Sequence, residues 1–164
     1  MNYHNITHDD MNNGDGLRVC LWCSGCSLHC KECQNPQTWD KNSGVLFDED
    51  ARKEIFEQLN KSYISGITYS GGHPLEPYNI KTITKLAKEI KEKFPNKTQW
   101  LYTGFIWENV KDLEIIKYLD VLIDGPYIAS KRDITLKWRG SSNQRVIDVQ
   151  QSLKENKIVL WENN

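Results

Sequence analysis

The hydrophobic positions along the chain follow two periodicities in turn, one typical of buried strands and the other of amphipathic helices. Apolar runs predict strands over 17–22, 66–70, 99–103 and 121–124, and glycine follows the last three of them. Apolar residues at helical spacing predict helices over 48–59 and 80–94, and a shorter one over 108–119. Strands that alternate with helices are typical of parallel sheets with right-handed crossovers. The pattern therefore predicts an α/β fold, with 1–164 forming a single domain.

The two ends of the chain show weaker patterns. Residues 1–16 are polar and finish in the turn-forming segment 13–16, so no strand or helix is predicted there. Toward the other end, 138–145 is a polar loop, 146–148 a short strand and 158–161 a terminal strand. About five strands are fewer than the eight of a closed barrel, so we expect a partial parallel (β/α) barrel. Its site should lie at the carboxyl edge of the strands.

Composition and charge exclude several classes of partner. The 164 residues contain 21 basic and 22 acidic side chains, and a net charge of -1 gives no field that attracts nucleic acid or anionic lipid. No apolar run approaches the roughly 20 residues of a membrane span, and the N-terminus has no signal-peptide pattern. The sequence thus predicts a cytoplasmic protein that binds neither nucleic acid nor membrane.

All five cysteines lie between positions 20 and 33, directly after the first predicted strand. In a reducing compartment, an odd number of clustered cysteines is better explained by metal ligation than by disulfides. The loop also follows the carboxyl end of a strand, where α/β folds commonly place their sites. This segment is therefore predicted to bind a metal ion or an iron–sulfur cluster.

The spacing of the cysteines leaves three ligand sets open. The set Cys20, Cys23, Cys26 and Cys30 has the spacing of a bacterial ferredoxin run, although Lys31 follows where that run has proline, and the sequence contains no second run. Cys23, Cys26, Cys30 and Cys33 could close a zinc site, but the gap between the two ligand pairs is short for a zinc finger or ribbon. The third set consists of Cys26, Cys30 and Cys33 alone.

This third set resembles the three-cysteine loop of the radical S-adenosylmethionine superfamily. The resemblance implies that Cys26, Cys30 and Cys33 hold a 4Fe-4S cluster with one iron free of protein ligands. That iron would bind the amino and carboxylate groups of S-adenosylmethionine, and reduction would yield methionine and a 5'-deoxyadenosyl radical. The fold implied is the partial parallel barrel of that superfamily.

A second segment resembles the loop that binds the amino group of S-adenosylmethionine in this superfamily. It runs through Ser70, Gly71, Gly72, His73 and Pro74, and Glu32, Cys33 and Gln34 are expected to line the cofactor because they are close to the cluster. His73 stands where the superfamily usually has an acid, which removes a negative charge near an ammonium group. Glu32 stands where many members have an aromatic residue against adenine, so the adenine contact is unassigned.

Three further segments, 100–105, 121–127 and 138–145, resemble the activating proteins of anaerobic ribonucleoside-triphosphate reductase. The resemblance implies that the large reductase subunit is the partner, that a glycyl radical is installed on it, and that a low-potential, flavodoxin-like protein donates the electron. No catalytic side chain beyond the cluster is implied. The alternatives are an activase of another glycyl-radical enzyme, a ferredoxin-like electron-transfer protein, and a zinc-stabilised binding module.

Four other residues have a structural explanation beside a functional one. Cys20 lies within a buried strand and is predicted to be a core residue, whereas Cys23 is either an inert neighbour of the site or a spare thiolate. His29 lies between two cysteines, but the three-cysteine pattern does not need it as a ligand. Asp124 ends a strand at the predicted active edge, where a turn or capping role is equally consistent with its position.

Overall fold

The computed structural model describes residues 1–161, which build one seven-stranded sheet in the order β3-β1-β2-β4-β5-β6-β7. The strands are β1 Asn2–Asp10, β2 Leu17–Cys23, β3 Val45–Leu46, β4 Ile64–Gly71, β5 Thr98–Tyr102, β6 Val121–Asp124 and β7 Arg145–Asp148. The α-helices are α1 Glu49–Leu59, α2 Ile80–Lys93, α3 Trp107–Val110 and α4 Val149–Glu155. Short 3-10 helices cover Pro36–Thr38, Glu114–Tyr118 and Ala129–Lys131.

The centre of the sheet is parallel, as the alternation of strands and helices predicts. β2 pairs with β4, β4 with β5 and β5 with β6, all in parallel. In register across these strands lie Leu21, Tyr69, Leu101 and Leu122, none of which is exposed. Such strands are buried on both faces, which explains their continuous apolar runs. The α/β prediction is confirmed.

The edges of the sheet are antiparallel, and there the expectation of parallel strands is wrong. β1 pairs antiparallel with both β2 and β3, and β7 pairs antiparallel with β6. The sheet is open and mixed, and it does not close into a barrel. The sequence pattern does not predict β1, because most of its side chains are polar and only Ile6 is buried. A strand near a sheet edge needs few apolar residues, so it leaves no hydrophobic run in the sequence.

Both long helices form where the sequence predicts them. The Asp48 side chain caps α1 by accepting hydrogen bonds from the backbone N–H groups of Asp50 and Ala51. Ile55 and Leu59 of α1 are buried together with Ile83, Leu86, Ala87 and Ile90 of α2, and these residues belong to the main hydrophobic core. Within residues 1–161, no helix has the length and apolar character needed to cross a membrane.

The chain after β5 departs from the prediction in three places. The predicted helix over 108–119 is divided into α3 and a 3-10 helix over Glu114–Tyr118. The segment 158–161 forms only an isolated bridge, between Leu160 and Ile147, instead of a strand. Helix α4 is not predicted by the pattern; its N-cap is Asp148, whose side chain accepts a hydrogen bond from the Gln151 N–H. A helix of this length carries too few apolar positions for its period to be recognised.

The face of the sheet opposite the main core contains a buried arginine. Arg18 is inaccessible to solvent, and its guanidinium donates to the Thr68 hydroxyl and to the carbonyls of Ile67 and Thr98. The guanidinium carbon lies 5.1 Å from the centre of the Trp100 ring. Burial lowers the pKa of Arg18 to about 10, which still leaves it charged at neutral pH. Arg18 thus joins β2, β4 and β5 through hydrogen bonds.

Asp124, at the end of β6, is a structural residue with an arginine partner. Its carboxylate accepts from Arg145 Nε at 2.9 Å and from the Trp107 backbone N–H at 2.7 Å, which connects β6 to β7 and to the start of α3. Arg145 also contacts Glu108 Oε2 at 3.1 Å. Of the two explanations open for Asp124, the structure supports the capping one.

We predict that Arg145→Ala lowers the free energy of unfolding by about 2–3 kcal/mol, because it leaves the Asp124 carboxylate buried without its cation. The Arg145 side chain is 32% exposed and that of Asp124 1%, so the loss should be smaller than for a fully buried pair. Lys53→Ala is the control, since it removes an exposed ion pair with Asp50 and should cost less than about 1 kcal/mol. Urea unfolding measures both variants, and equal losses would contradict the prediction.

Candidate functional site

The cysteine loop and the glycine loop are joined because they continue two paired strands. In the parallel register of β2 and β4, Cys23 lies opposite Gly71. Each strand then continues into its loop at the same edge of the sheet. The pairing extends past the strands: Gly72 N–H donates to the Cys23 carbonyl at 2.8 Å, and His73 N–H donates to the Gly25 carbonyl at 2.8 Å. The sequence placed both loops after strands, and the structure makes them direct neighbours.

The glycines of the second loop are required by this close approach. A Cβ atom at Gly72 would lie 2.5 Å from the Gly25 carbonyl oxygen, and one at Gly71 would lie 2.6 Å from the Cys23 backbone nitrogen. Gly71 also has a φ of +95°, which a residue with a side chain rarely adopts. These close contacts are with the end of β2 and with the cysteine loop that follows it.

The cysteine loop is held by backbone hydrogen bonds and by packing. Gly25 N–H donates to the Thr38 carbonyl at 2.6 Å, and Cys26 N–H donates to the Trp39 carbonyl at 3.1 Å. The segment that follows the cysteines thus returns to Cys26 and supports it. His29 stacks on Trp39 with ring centres 4.5 Å apart. The loop therefore has a defined conformation although it contains no regular helix or strand.

Cys26, Cys30 and Cys33 line one cavity of about 440 Å³, together with the loop from Ser70 to His73. This volume lies within the range of ligand pockets in proteins. Gln34 also lines the cavity, whereas Glu32 is exposed and Pro74 is buried outside the cavity lining. The structure thus brings together most of the site residues expected from the sequence.

The chemistry of these three thiols fits an iron–sulfur cluster. The cysteines of a cluster each bind a different iron, so they must surround a larger space than the ligands of one ion. Three half-buried cysteines along one cavity meet that requirement.

Cys20 and Cys23 cannot serve one site together. Both are fully buried, and Cys23 packs in the main core with Leu21, while Cys20 belongs to the other face of β2. Side chains alternate across a strand, so two residues three positions apart point to opposite faces. Burial raises the pKa of Cys23 to about 12, which disfavours a thiolate there. These positions disfavour the ferredoxin and zinc sets, and the prediction that Cys20 is a core residue is confirmed.

His73 lies inside the wall of the cavity, where it contacts two polar side chains. Its Nε2 is 2.8 Å from Thr103 Oγ1 and its Nδ1 is 3.3 Å from Glu76 Oε1. Burial lowers the pKa of His73, although the Glu76 carboxylate opposes the shift. Burial alone would raise the pKa of Glu76, but hydrogen bonds from Ser27 and His73 outweigh it, and that pKa lies below its ordinary value.

The loop over 138–145 also lines the cavity and is organised around Gln144. The Gln144 side-chain oxygen accepts from the backbone N–H groups of Gly140 and Ser141 at 3.0 and 3.1 Å, and its amide donates to the Gly125 carbonyl at 3.2 Å. Arg139 donates to the Gln144 carbonyl at 2.7 Å. These bonds attach the loop to the end of β6.

Several residues that line the cavity are not predicted by any motif in the sequence. Asn12, Asn13, Trp22, Tyr102 and Thr103 line the cavity. Thr103 follows a strand, so the rule that sites form at strand ends would have found it. The others come from a segment without a predicted element or from side chains within strands, and no local pattern distinguishes them from ordinary residues.

A family model and several relatives match most of this chain. A family model described as a 4Fe-4S single cluster domain matches residues 12–147, which defines the class of iron–sulfur protein. A relative from Enterobacteria phage T4, named anaerobic ribonucleoside-triphosphate reductase-activating protein, is 45% identical over 89% of this chain and 93% of its own length. Relatives of the same name from Haemophilus influenzae and Escherichia coli strain K12 are 38% and 39% identical, over 96% and 97% of their own lengths and 88% and 89% of this chain. The chain therefore belongs to the family of anaerobic ribonucleoside-triphosphate reductase-activating proteins.

We predict that Gly72→Ala lowers the free energy of unfolding by about 1–3 kcal/mol, because the new methyl group forces the two loops apart. The matched control is Gly140→Ala, where the nearest atom belongs to the Tyr127 ring at 3.1 Å and can shift. That change should cost less than about 1 kcal/mol. Urea unfolding compares the two, and a Gly72→Ala protein as stable as the control would contradict the close contact.

We predict that protein stability falls below pH 6.5, partly through His73. Burial lowers the pKa of His73 from 6.5, so the unfolded chain binds a proton at this residue more readily than the folded chain does. Stability present above pH 6.5 is therefore lost as the pH falls toward the folded-state pKa, by at most about 1.4 kcal/mol per pH unit. Urea unfolding at pH 7, 6 and 5 should show a smaller loss in His73→Gln than in the original protein, and equal losses would refute this role.

Proposed function

We propose that this chain is an activase that installs a glycyl radical on the large subunit of anaerobic ribonucleoside-triphosphate reductase, using a 4Fe-4S cluster and S-adenosylmethionine. One observation carries the proposal. In a chain of this family, Cys26, Cys30 and Cys33 line the same cavity as the loop from Ser70 to His73. A three-thiol site and a loop suited to an amino acid group would need to be neighbours for this reaction.

The roles of the residues follow from their places in the cavity. The three cysteines are the ligands of the cluster. Ser70, Gly71, Gly72, His73 and Gln34 line the cavity and are the binding region for S-adenosylmethionine, and Glu32 and Pro74 adjoin this region outside the cavity lining. When bound, the cluster supplies one low-potential electron for the cleavage of S-adenosylmethionine, which is the source of the radical that takes a hydrogen atom from glycine. The protein itself binds, orients and shields these groups.

The loop over 138–145 is the proposed contact with the reductase. Arg139 and Gly140 belong to the loop held by Gln144 and line the cavity, so a glycine-bearing segment inside the cavity would meet them. The segment 138–145 is also one of those that resemble this family. We further propose a flavodoxin-like electron donor, a cytoplasmic location and curvature of the sheet like that of the partial barrels of the radical S-adenosylmethionine superfamily.

Burial of the other two cysteines argues against the ferredoxin-like alternative. That alternative requires Cys20 and Cys23 as ligands, and both are fully buried and belong to opposite faces of β2. An activase of another glycyl-radical enzyme would use the same site. Only the identity of the enzyme that receives the radical distinguishes these two functions.

We predict that serine at Cys26, Cys30 or Cys33 abolishes the 4Fe-4S cluster, whereas Cys20→Ala and Cys23→Ala retain it. Anaerobic reconstitution followed by iron analysis and paramagnetic resonance measures the outcome. The functional assay then mixes reconstituted protein with S-adenosylmethionine, a chemical reductant and the reductase large subunit, and we expect a glycyl radical signal.

One control and two readouts separate the alternatives in this assay. Pyruvate formate-lyase replaces the reductase to test the partner, and a radical on that enzyme alone would assign a different activase. A cluster that undergoes reduction but yields no radical, and whose spectrum does not respond to S-adenosylmethionine, would favour an electron-transfer protein. Protein that holds zinc and no iron would overturn the proposal.

A further inference from the structure

Glu76 is a buried carboxylate that neither the cysteine loop nor the glycine loop includes. It is 5% exposed and lies between the glycine loop and α2. Its Oε1 accepts hydrogen bonds from the Ser27 backbone N–H at 2.8 Å and from the Ser27 hydroxyl at 2.6 Å. Ser27 directly follows Cys26, so this carboxylate restrains the cysteine loop beside its first proposed ligand.

The same oxygen determines which nitrogen of His73 carries the proton. A carboxylate can only accept, so the 3.3 Å contact between Glu76 Oε1 and His73 Nδ1 requires a proton on Nδ1. His73 is 1% exposed, and burial favours the neutral ring, which has a single N–H. Nε2 is then an acceptor and receives the Thr103 hydroxyl proton at 2.8 Å.

The other contact of Thr103 agrees with this arrangement. Thr103 Oγ1 accepts from the Phe105 backbone N–H at 3.1 Å, which leaves the hydroxyl proton free to point toward His73 Nε2. The Phe105 ring packs edge-on against the His73 ring, with centres 4.5 Å apart. The hydrogen bonds thus run in one direction, from Phe105 through Thr103 and His73 to Glu76.

We propose that Glu76 is a positioning residue of the cofactor site, which holds His73 as the Nδ1–H tautomer and holds Ser27 against the glycine loop. The role in binding S-adenosylmethionine rests on the proposed function, whereas the tautomer and the contact with Ser27 do not. The site thereby keeps a carboxylate although His73 stands where the superfamily usually has an acid. The negative charge of Glu76 is buried next to His73, and His73 lines the cavity.

The first experiment reads the tautomer directly. Nitrogen NMR of the full chain with labelled histidine should show a His73 ring protonated at Nδ1, assigned by the signal lost in His73→Gln. In Glu76→Ala we expect a population protonated at Nε2, because the acceptor for Nδ1–H is gone. Glu92→Gln, an exposed carboxylate on α2, is the matched control and should leave the signal unchanged. A His73 protonated at Nε2 in the original protein would overturn the inference.

The second experiment measures S-adenosylmethionine affinity by titration of the reconstituted protein. Loss of a charge-assisted network should raise the dissociation constant about tenfold in Glu76→Ala, with no change in Glu92→Gln. Glu76→Gln retains an oxygen that can accept from Ser27, so it gives the same measurement if Glu76→Ala fails to fold, and it should also bind the cofactor more weakly. Unchanged affinity in both Glu76 variants would overturn the positioning role. A wild-type protein that does not bind S-adenosylmethionine would instead contradict the proposed function, and the histidine spectrum would still test the tautomer.

Discussion

The parallel pairing of β2 with β4 is the constraint on which the site depends. Because Cys23 lies opposite Gly71, the two loops leave the sheet side by side, and backbone hydrogen bonds from Gly72 and His73 continue the pairing beyond the strands. Parallel strands bring their carboxyl ends to one edge, so residues far apart in sequence line one cavity. The glycines allow the two backbones to approach within hydrogen-bonding distance, and their replacement would separate the cysteines from the rest of the site.

Buried polar groups hold together the strands and the loop next to the site. Arg18 joins β2, β4 and β5, the pair of Asp124 and Arg145 joins β6 to β7, and Gln144 holds the loop over 138–145. Each of these groups would be costly to bury without its partners, so each strongly favours one arrangement of the chain. The elements around the cavity are therefore held in one arrangement, which is what the orientation of a bound group requires.

The division of the five cysteines follows from the geometry of one strand. Cys20 and Cys23 belong to β2 and are buried on opposite faces, whereas Cys26, Cys30 and Cys33 follow it and line the cavity. A cluster needs accessible thiolates around a shared space, and only the last three cysteines meet that condition. The spacing of the cysteines leaves several ligand sets open. The cysteines that the strand buries disfavour the sets that include them.

The sequence by itself determined the central strands, the two long helices and the family, because buried parallel strands and amphipathic helices leave strong hydrophobic patterns. It also identified the two loops, since cysteine clusters and paired glycines are rare enough to be recognised. Only the tertiary structure decided the antiparallel edges, where a polar strand such as β1 is held by backbone pairing and needs little apolar surface. The tertiary structure also decided the role of Glu76, whose buried partners Ser27 and His73 lie on two different loops. Hydrogen bonds between distant segments depend on how the strands are arranged, and no local pattern of residues encodes them.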